Sequence, residues 1–427
     1  MNKVGRIAGW FKTLTSAERA ASLFTLAFLL TYSVMPIVVA ALLPIENYFG
    51  DLARIAAVGG VFVMLGSRCR WFDRFFSGRN PRISVDGRFL VYSVWSVFIL
   101  FVLMLWITAP AVPAAAALAG ADPSQLAEMR EMFLKARTGF EASFVYINAL
   151  ITGALLPYCI AWMFVHRIRG RWAVVLFFFI YALSFIEKAF FLKAFFPLLF
   201  LFSQGLIKSR LSLRSMTMIG VVLLGVVTLL SGSGNVDVEG SEAFFSVGFV
   251  PASGVEHLLW RSVAIPMLTA ADAVRVFYTE FGGGYLHGAT SSVLATLAGV
   301  PRVEFERLVF AAQWGQNELG TGSANSAFVI EAFINFGYLG VALFGWFIGL
   351  VFRSFRVSND RAYQAMWMLF GFGVYNSGLI GMLLSNGFIL LFLVGIFFNI
   401  RKPIATMKKK SLALHADGGD VGTGYLR

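Results

Sequence analysis

The chain has 427 residues, of which 58% are hydrophobic, 16% aromatic and only 14% charged, and its mean hydropathy is +0.75. A soluble domain carries roughly 25% charged residues, so this chain has too little polar surface for a water-soluble globule, and the bilayer is its main solvent. The formal net charge of +12 falls between apolar runs, a pattern that fits anchoring beside anionic headgroups and argues against nucleic-acid binding.

The segment Met1 to Ala20 is basic, and the apolar stretch after it is long for a signal peptide and lacks a small-x-small exit, which predicts a retained first helix. Apolar runs able to cross about 30 Å of hydrocarbon fall at 21–43, 51–67, 89–109, 143–165, 172–187, 189–207, 215–232, 326–352, 362–379 and 381–400. The second and fifth are short. The predicted fold is therefore an all-α polytopic membrane protein of about ten transmembrane helices. A single membrane domain covers residues 1–410, and a Gly-rich polar tail at 411–427 is expected to be disordered.

Basic residues orient the helices. The stretch before residue 21, then 68–88, 166–171, 208–214, 353–361 and 401–410 are all rich in Arg or Lys. Ten crossings put every one of them on the same side, which makes both termini cytoplasmic. Between Arg171 and Lys208 the chain must leave that side and return. A single helix there would be about 54 Å long, so a tight hairpin turning near Glu187 and Lys188 is predicted. Two long segments, 110–142 and 233–325, lie on the opposite side, and loops of that size are usually functional. The first opens with an Ala/Pro stretch and predicts a helix at 123–137. The second carries Phe244, Phe245, Trp260, Phe277, Tyr278, Phe281 and Trp314, so it is expected to fold onto the membrane face. No internal repeat and no matched pair of broken helices is evident, which argues against a secondary transporter.

Cys69 lies in a basic loop and Cys159 in an apolar run, so no disulfide is implied. The four histidines have no metal-ligand spacing, and no metal is expected. His287, in the run EFGGGYLHG, is either a proton carrier or a plain loop residue. That run lacks a preceding strand and a GxxxxGK[ST] pattern, so nucleotide binding is rejected. No GxSxG or HExxH is present, and no DxD-type pair lies in a cytoplasmic loop.

The sharpest local signal is GTGSANSAFVIEAFINFGYLG, residues 320–340. A small polar turn runs into an apolar helix, with Ser323 or Asn325 as candidate N-cap. Glu331 and, at i+4, Asn335 share one face of that helix. A carboxylate inside the membrane is costly if unpaired, so Glu331 is a functional candidate; the alternative is a structural Glu paired with an Arg. Gly337 and Gly340 are read as positions of close helix packing. On the outer side, Lys188 and Lys193 flank the hairpin tip, and Arg130, Lys135 and Arg137 end the first loop. Arg261 and Arg275 lie in the second loop, on helical sequence interrupted by Pro266. Such cations suit phosphate oxygens, although each could instead pair with a nearby acid or with lipid.

Residues 320–340, with Glu331 and the Phe336-Gly337 pair before Gly340, resemble O-antigen polymerases of the Wzy type and related oligosaccharide repeat-unit polymerases. So do the large outer loop containing Arg261 and the lysine-bearing hairpin EKAFFLKAFFPLLFLF. The architecture carries the likeness over most of the chain; the motifs cover about a tenth. The resemblance implies a GT-C-like membrane glycosyltransferase of the bacterial inner membrane, working on the periplasmic face without metal, nucleotide or other cofactor. Its donor and acceptor would both be glycans on undecaprenyl pyrophosphate, and its partners a chain-length regulator and a flippase. On that reading Glu331 is the base that deprotonates the acceptor hydroxyl, with Glu280 and Asp272 as alternates. Arg261, Arg275, Lys188, Lys193 and Arg137 stabilise the pyrophosphate. Asn335 orients Glu331 or binds sugar hydroxyls, Asn325 joins the binding turn, and loop aromatics stack on sugar rings. An O-antigen ligase is the nearest alternative, since ligases of this type use an outer-loop histidine with arginines. A flippase-type transporter and a non-catalytic scaffold remain as other classes.

Overall fold

The computed structural model describes residues 12–42, 48–76, 83–134, 136–185, 188–207, 263–314, 324 and 327–401, and over them the chain is mostly helical. Among these residues five helices are long and apolar enough to cross a membrane: Ala20–Leu42, Phe49–Arg68, Gly87–Thr108, Gly139–Val165 and Phe328–Val357. They coincide with the first four expected spans and the eighth. Arg171–Phe185 and Lys188–Ser203 are shorter apolar helices that bracket the expected hairpin turn. Aromatic side chains zip them together, Phe185 stacking on Phe190 at 4.9 Å and Phe179 on Phe191 at 5.7 Å. The expected span 215–232 lies outside the described residues.

Two expected spans prove to be interrupted. The ninth is made of Arg361–Ala365 and Trp367–Asn376. In place of the tenth, 381–400, the structure has a short helix Leu379–Leu383, a helix Phe388–Phe397 and then a strand. The break before Phe388 falls at Gly387, whose φ is +75° and whose backbone is pressed against the Leu150 carbonyl. Hydropathy sums apolar residues and is blind to a backbone angle, so it fuses such pieces into one span.

The strand, Phe398–Arg401, pairs in parallel with Ile83–Asp86, in the register Ile83 to Phe398 through Asp86 to Arg401. Both read apolar-polar-apolar-polar, the period-2 pattern of a strand with one covered face. This small ladder is the one departure from the all-α expectation among the described residues. Asp86 also caps the helix that follows, its carboxylate accepting from the Arg88 amide at 2.7 Å.

The central seam is formed by Phe49–Arg68 and Phe328–Val357, which run parallel. Gly345 and Gly349, spaced as GxxxG, turn bare backbone toward the other helix; a Cβ on Gly349 would lie 2.2 Å from the Val63 carbonyl oxygen. In lipid, where no hydrophobic drive pulls helices together, such close backbone approach supplies the dispersion energy of association. At the far end of the seam the Arg353 guanidinium grips the Asp73 carboxylate through Nε and Nη2, and its Nη1 donates to the Ser67 carbonyl at 3.0 Å.

The described basic segments gather at that same end. Thr15 bonds Ser203 at 2.6 Å, the Trp367 indole donates to the Thr15 carbonyl at 3.1 Å, and the Tyr158 hydroxyl donates to Asp360 at 2.6 Å. The segments 12–20, 67–76, 83–88, 158–166, 353–361 and 398–401 thus share one pole. The opposite pole carries the loop regions. Pro113–Leu118 and Pro123–Leu134 are helical, close to the expected 123–137. In the second loop, Ile265–Phe281, Ser292–Ala298 and Phe305–Trp314 are helices. Pro266 does not interrupt the first of these; it sits in its opening turn, where a missing N–H costs nothing.

Candidate functional site

The helix Phe328–Val357 opens on Ala327, with no side-chain cap. The candidate caps Ser323 and Asn325 lie outside the described residues. Glu331 stands in the first turn and Asn335 one turn later. The helix then breaks. Gly337 has φ 62° and ψ −157°, a conformation closed to residues with a Cβ. The sequence reading of Gly337 as a packing residue is corrected here: it is a break point, and the space beside it is filled by the Tyr285 ring, 2.8 Å from where a Cβ would stand.

A break strands carbonyls that an intact helix would pair four residues on. The run GGGYLHG supplies the missing donors. The Leu286 amide donates to the Ile334 carbonyl at 2.9 Å, and the His287 amide to the Asn335 carbonyl at 3.1 Å. To turn both amides inward the loop adopts positive φ at His287 (48°) and Gly288 (93°). Irregular backbone at this position is tolerated because it is buried in protein and paired.

The Asn335 amide locks the loop in place. Its Oδ1 accepts from the Gly288 amide at 2.8 Å, and its Nδ2 donates to Thr290 Oγ1 at 2.7 Å and to the Glu331 carbonyl at 2.7 Å. Asn335 is itself 1% exposed. It holds the main chain of Glu331 and the 288–290 turn, and has no bond to the Glu331 carboxylate. That carboxylate reaches across to the start of Leu379–Leu383, where its Oε2 accepts from the Ile380 amide at 3.2 Å, against Gly378. Among the described residues no cation pairs with Glu331. The side chain of His287 is exposed beside this assembly.

The helix Ile265–Phe281 backs the same half-helix. Phe277 is buried and meets Phe333 edge-on at 5.6 Å, so it is part of the packing and not free for a sugar ring. Tyr278 stacks on Tyr48 at 5.5 Å. On this helix Arg275 Nε lies 3.1 Å from Asp272, whose other oxygen accepts from Gln313 at 3.4 Å. Burial pushes the Asp272 carboxyl up to about 6, although Arg275 and Gln313 pull the other way. Glu280 is exposed at the end of the helix, with no ion pair among the described residues.

The remaining predicted cations sit elsewhere. Lys193 Nζ lies 3.3 Å from Thr152 Oγ1 and 4.1 Å from the centre of the Phe190 ring. Thr152 occupies a π-helical turn, Ile151–Leu155, next to the buried pair Asn148 and Tyr181, whose side chains bond at 2.7 Å. The turn around Asn386 packs against Gly153, so the segment 377–387 lies between Glu331 on one side and the Thr152 region on the other. Lys188 opens its helix, its side chain lying outside the described set. Arg137 is committed to the protein: its donors reach Phe133, Leu105, Thr108 and Glu141, and it lies over the Phe144 ring. Arg261 lies outside the described residues.

Sequence reasoning missed Gly288, Thr290, Gly378 and Thr152. The signal for the first two was present in the three glycines before His287, which mark a loop able to present amides inward. Gly378 and Thr152 carried no signal, since neither is near Glu331 or Lys193 in sequence. Among the described residues no group of His, Cys, Asp or Glu is placed to hold a metal ion. In comparisons with known proteins, no family model, no curated protein and no solved structure matches the chain.

Proposed function

We propose that the chain is a membrane glycosyltransferase that joins lipid-linked oligosaccharide units, with Glu331 as the general base. The observation that carries this reading is the carboxylate of Glu331, set in the first turn of a broken membrane helix. Its bond to the Ile380 amide leaves it without a cation among the described residues. A residue that merely pinned a loop through an ion pair would have an arginine opposite it. Charge is costly here and is kept where it does work.

In the proposed reaction the acceptor sugar hydroxyl attacks the anomeric carbon of the donor glycan, and its proton passes to the Glu331 carboxylate. The bond from that carbon to the pyrophosphate breaks, and the pyrophosphate lipid leaves with the electron pair. Arg275, beside Asp272, and Lys193, beside Thr152, are the described cations assigned here to oppose its charge. The site belongs at the pole opposite the basic segments, so the positive-inside rule assigns it to the outer face of the inner membrane.

A ligase reading, which moves the finished glycan onto a different acceptor, is favoured by one observation: exposed His287 is seated on the backbone of Asn335. The test is the glycan ladder of a deletion strain complemented at matched protein levels with wild type, Glu331→Gln or His287→Ala. The polymerase reading expects the deletion to leave single repeat units and Glu331→Gln to fail to restore the ladder. Loss of every glycan-bearing product, with failure of His287→Ala, would establish the ligase instead. A full-length ladder from Glu331→Gln would remove Glu331 from the chemistry.

A further inference from the structure

At the basic pole, a cavity of about 140 Å³ opens between the start of Ala20–Leu42, the end of Phe49–Arg68 and the end of Phe328–Val357. Ser22, Ser67, Arg68 and Arg356 line it, with Met64 and Phe352 as apolar wall and Glu18 and Arg353 at its edge. The donors of Arg353 are spent on Asp73 and Ser67. Arg68 and Arg356 are exposed and have no carboxylate partner among the described residues. The formal count is two free guanidinium charges less the Glu18 carboxylate, with Arg353 and Asp73 cancelling, so the cavity carries one net positive charge.

An exposed apolar stripe leads to it. Val61 is 56% exposed and Leu65 50% exposed, and Arg68 follows on the same helix face at the 3–4 residue spacing. The stripe faces lipid, and the guanidinium stands where its hydrocarbon ends. A basic recess between membrane helices at the cytoplasmic side is suited to the head group of an anionic lipid, and guanidinium suits phosphate oxygens through paired N–H donors.

We infer that this cavity holds the phosphodiester of an anionic membrane lipid. Arg68 and Arg356 bind the phosphate oxygens, Ser22 donates a hydroxyl hydrogen bond, and one acyl chain lies along Val61 and Leu65. A phosphodiester brings one negative charge, which balances the cavity; a free phosphate ion brings up to two. The site is at the opposite pole from Glu331, so the inference does not depend on the proposed activity.

The test uses the full chain in zwitterionic detergent, titrated with phosphatidylglycerol, phosphatidylcholine or inorganic phosphate. Bound lipid is read by native mass spectrometry and stability by the unfolding midpoint. Phosphatidylglycerol is expected to bind saturably and raise the midpoint, with the other two probes giving no comparable effect. The double variant Arg68→Gln, Arg356→Gln should weaken that binding about thirtyfold, from two juxtamembrane cations. Arg88→Gln, which removes a charge away from the cavity, should not. Equal binding of phosphatidylglycerol by the double variant and wild type would overturn the inference. So would equal retention of phosphatidylcholine, or protection by inorganic phosphate at the same concentrations, which would make the cavity a site for the free ion.

Discussion

The helix Phe328–Val357 is two structures joined at Gly337. Beyond the break, Gly345 and Gly349 press bare backbone against Phe49–Arg68, and the contact is apolar, dense and without adjustable parts. Before the break, the half-helix is held by polar contacts: amides of the 286–288 loop, the three bonds of Asn335 and the reach of Glu331 to Ile380. The difference teaches where a membrane protein places chemistry. The dispersive seam fixes the frame, and the polar half, whose bonds can be exchanged for those of a ligand, is the part that can act.

The comparison breaks most severely at the seam. Gly349→Val would drive a side chain into the Val63 carbonyl, and overpacking of this kind costs roughly 3 kcal/mol or more. The expected outcome is loss of folded protein from the membrane, measured as detergent-soluble monodisperse protein. Gly337→Ala comes next. A Cβ in this glycine-only conformation costs about 1–3 kcal/mol and displaces Tyr285, so folded protein should persist at a reduced level while glycan elongation fails; unchanged ladders at normal protein level would refute the break as a functional element. Asn335→Ala leaves the Gly288 amide and Thr290 hydroxyl to water, a local loss of about 1–3 kcal/mol. Its signature is faster amide exchange confined to residues 286–290, with the seam unaffected.

The smallest effect concerns pH. The folded protein holds the Asp272 carboxyl up to about 6 against 3.8 for an unperturbed group, so it binds more protons than the unfolded chain between those values. Stability should therefore rise as pH falls from 7 through 6 toward 4, a gain on the order of 2–3 kcal/mol at most. Asp272→Asn should flatten that slope. A slope unchanged in the variant would assign it to other groups.

Much of the architecture was legible because its causes are local. Apolar runs gave the five long helices, and Arg-rich segments foretold that residues near 68, 166, 353 and 401 would meet at one pole. The i+4 spacing placed Glu331 and Asn335 on one face. Three features were not legible, for one physical reason: each depends on backbone angles or on a distant partner. Gly337 and Gly387 sit in apolar sequence that scores as continuous span, and only their positive φ makes them breaks. The carboxylate of Glu331 is held by the Ile380 amide, nearly fifty residues away, and an amide has no sequence signature. The ladder at 398–401 depends on its distant partner Ile83–Asp86, and the apolar Phe398 and Ile400 absorbed it into the last span.

That ladder has a consequence for biogenesis. Ile83–Asp86 emerges early in synthesis, yet the strand it pairs with follows Phe388–Phe397, the last described helix. Its open edge must wait through the insertion of nearly every intervening helix, and its closure ties the front of the membrane domain to the back. The ladder is thus a clasp that can shut only once Arg401 has been made, and a ribosome halted before it leaves the clasp open, with an unpaired strand edge.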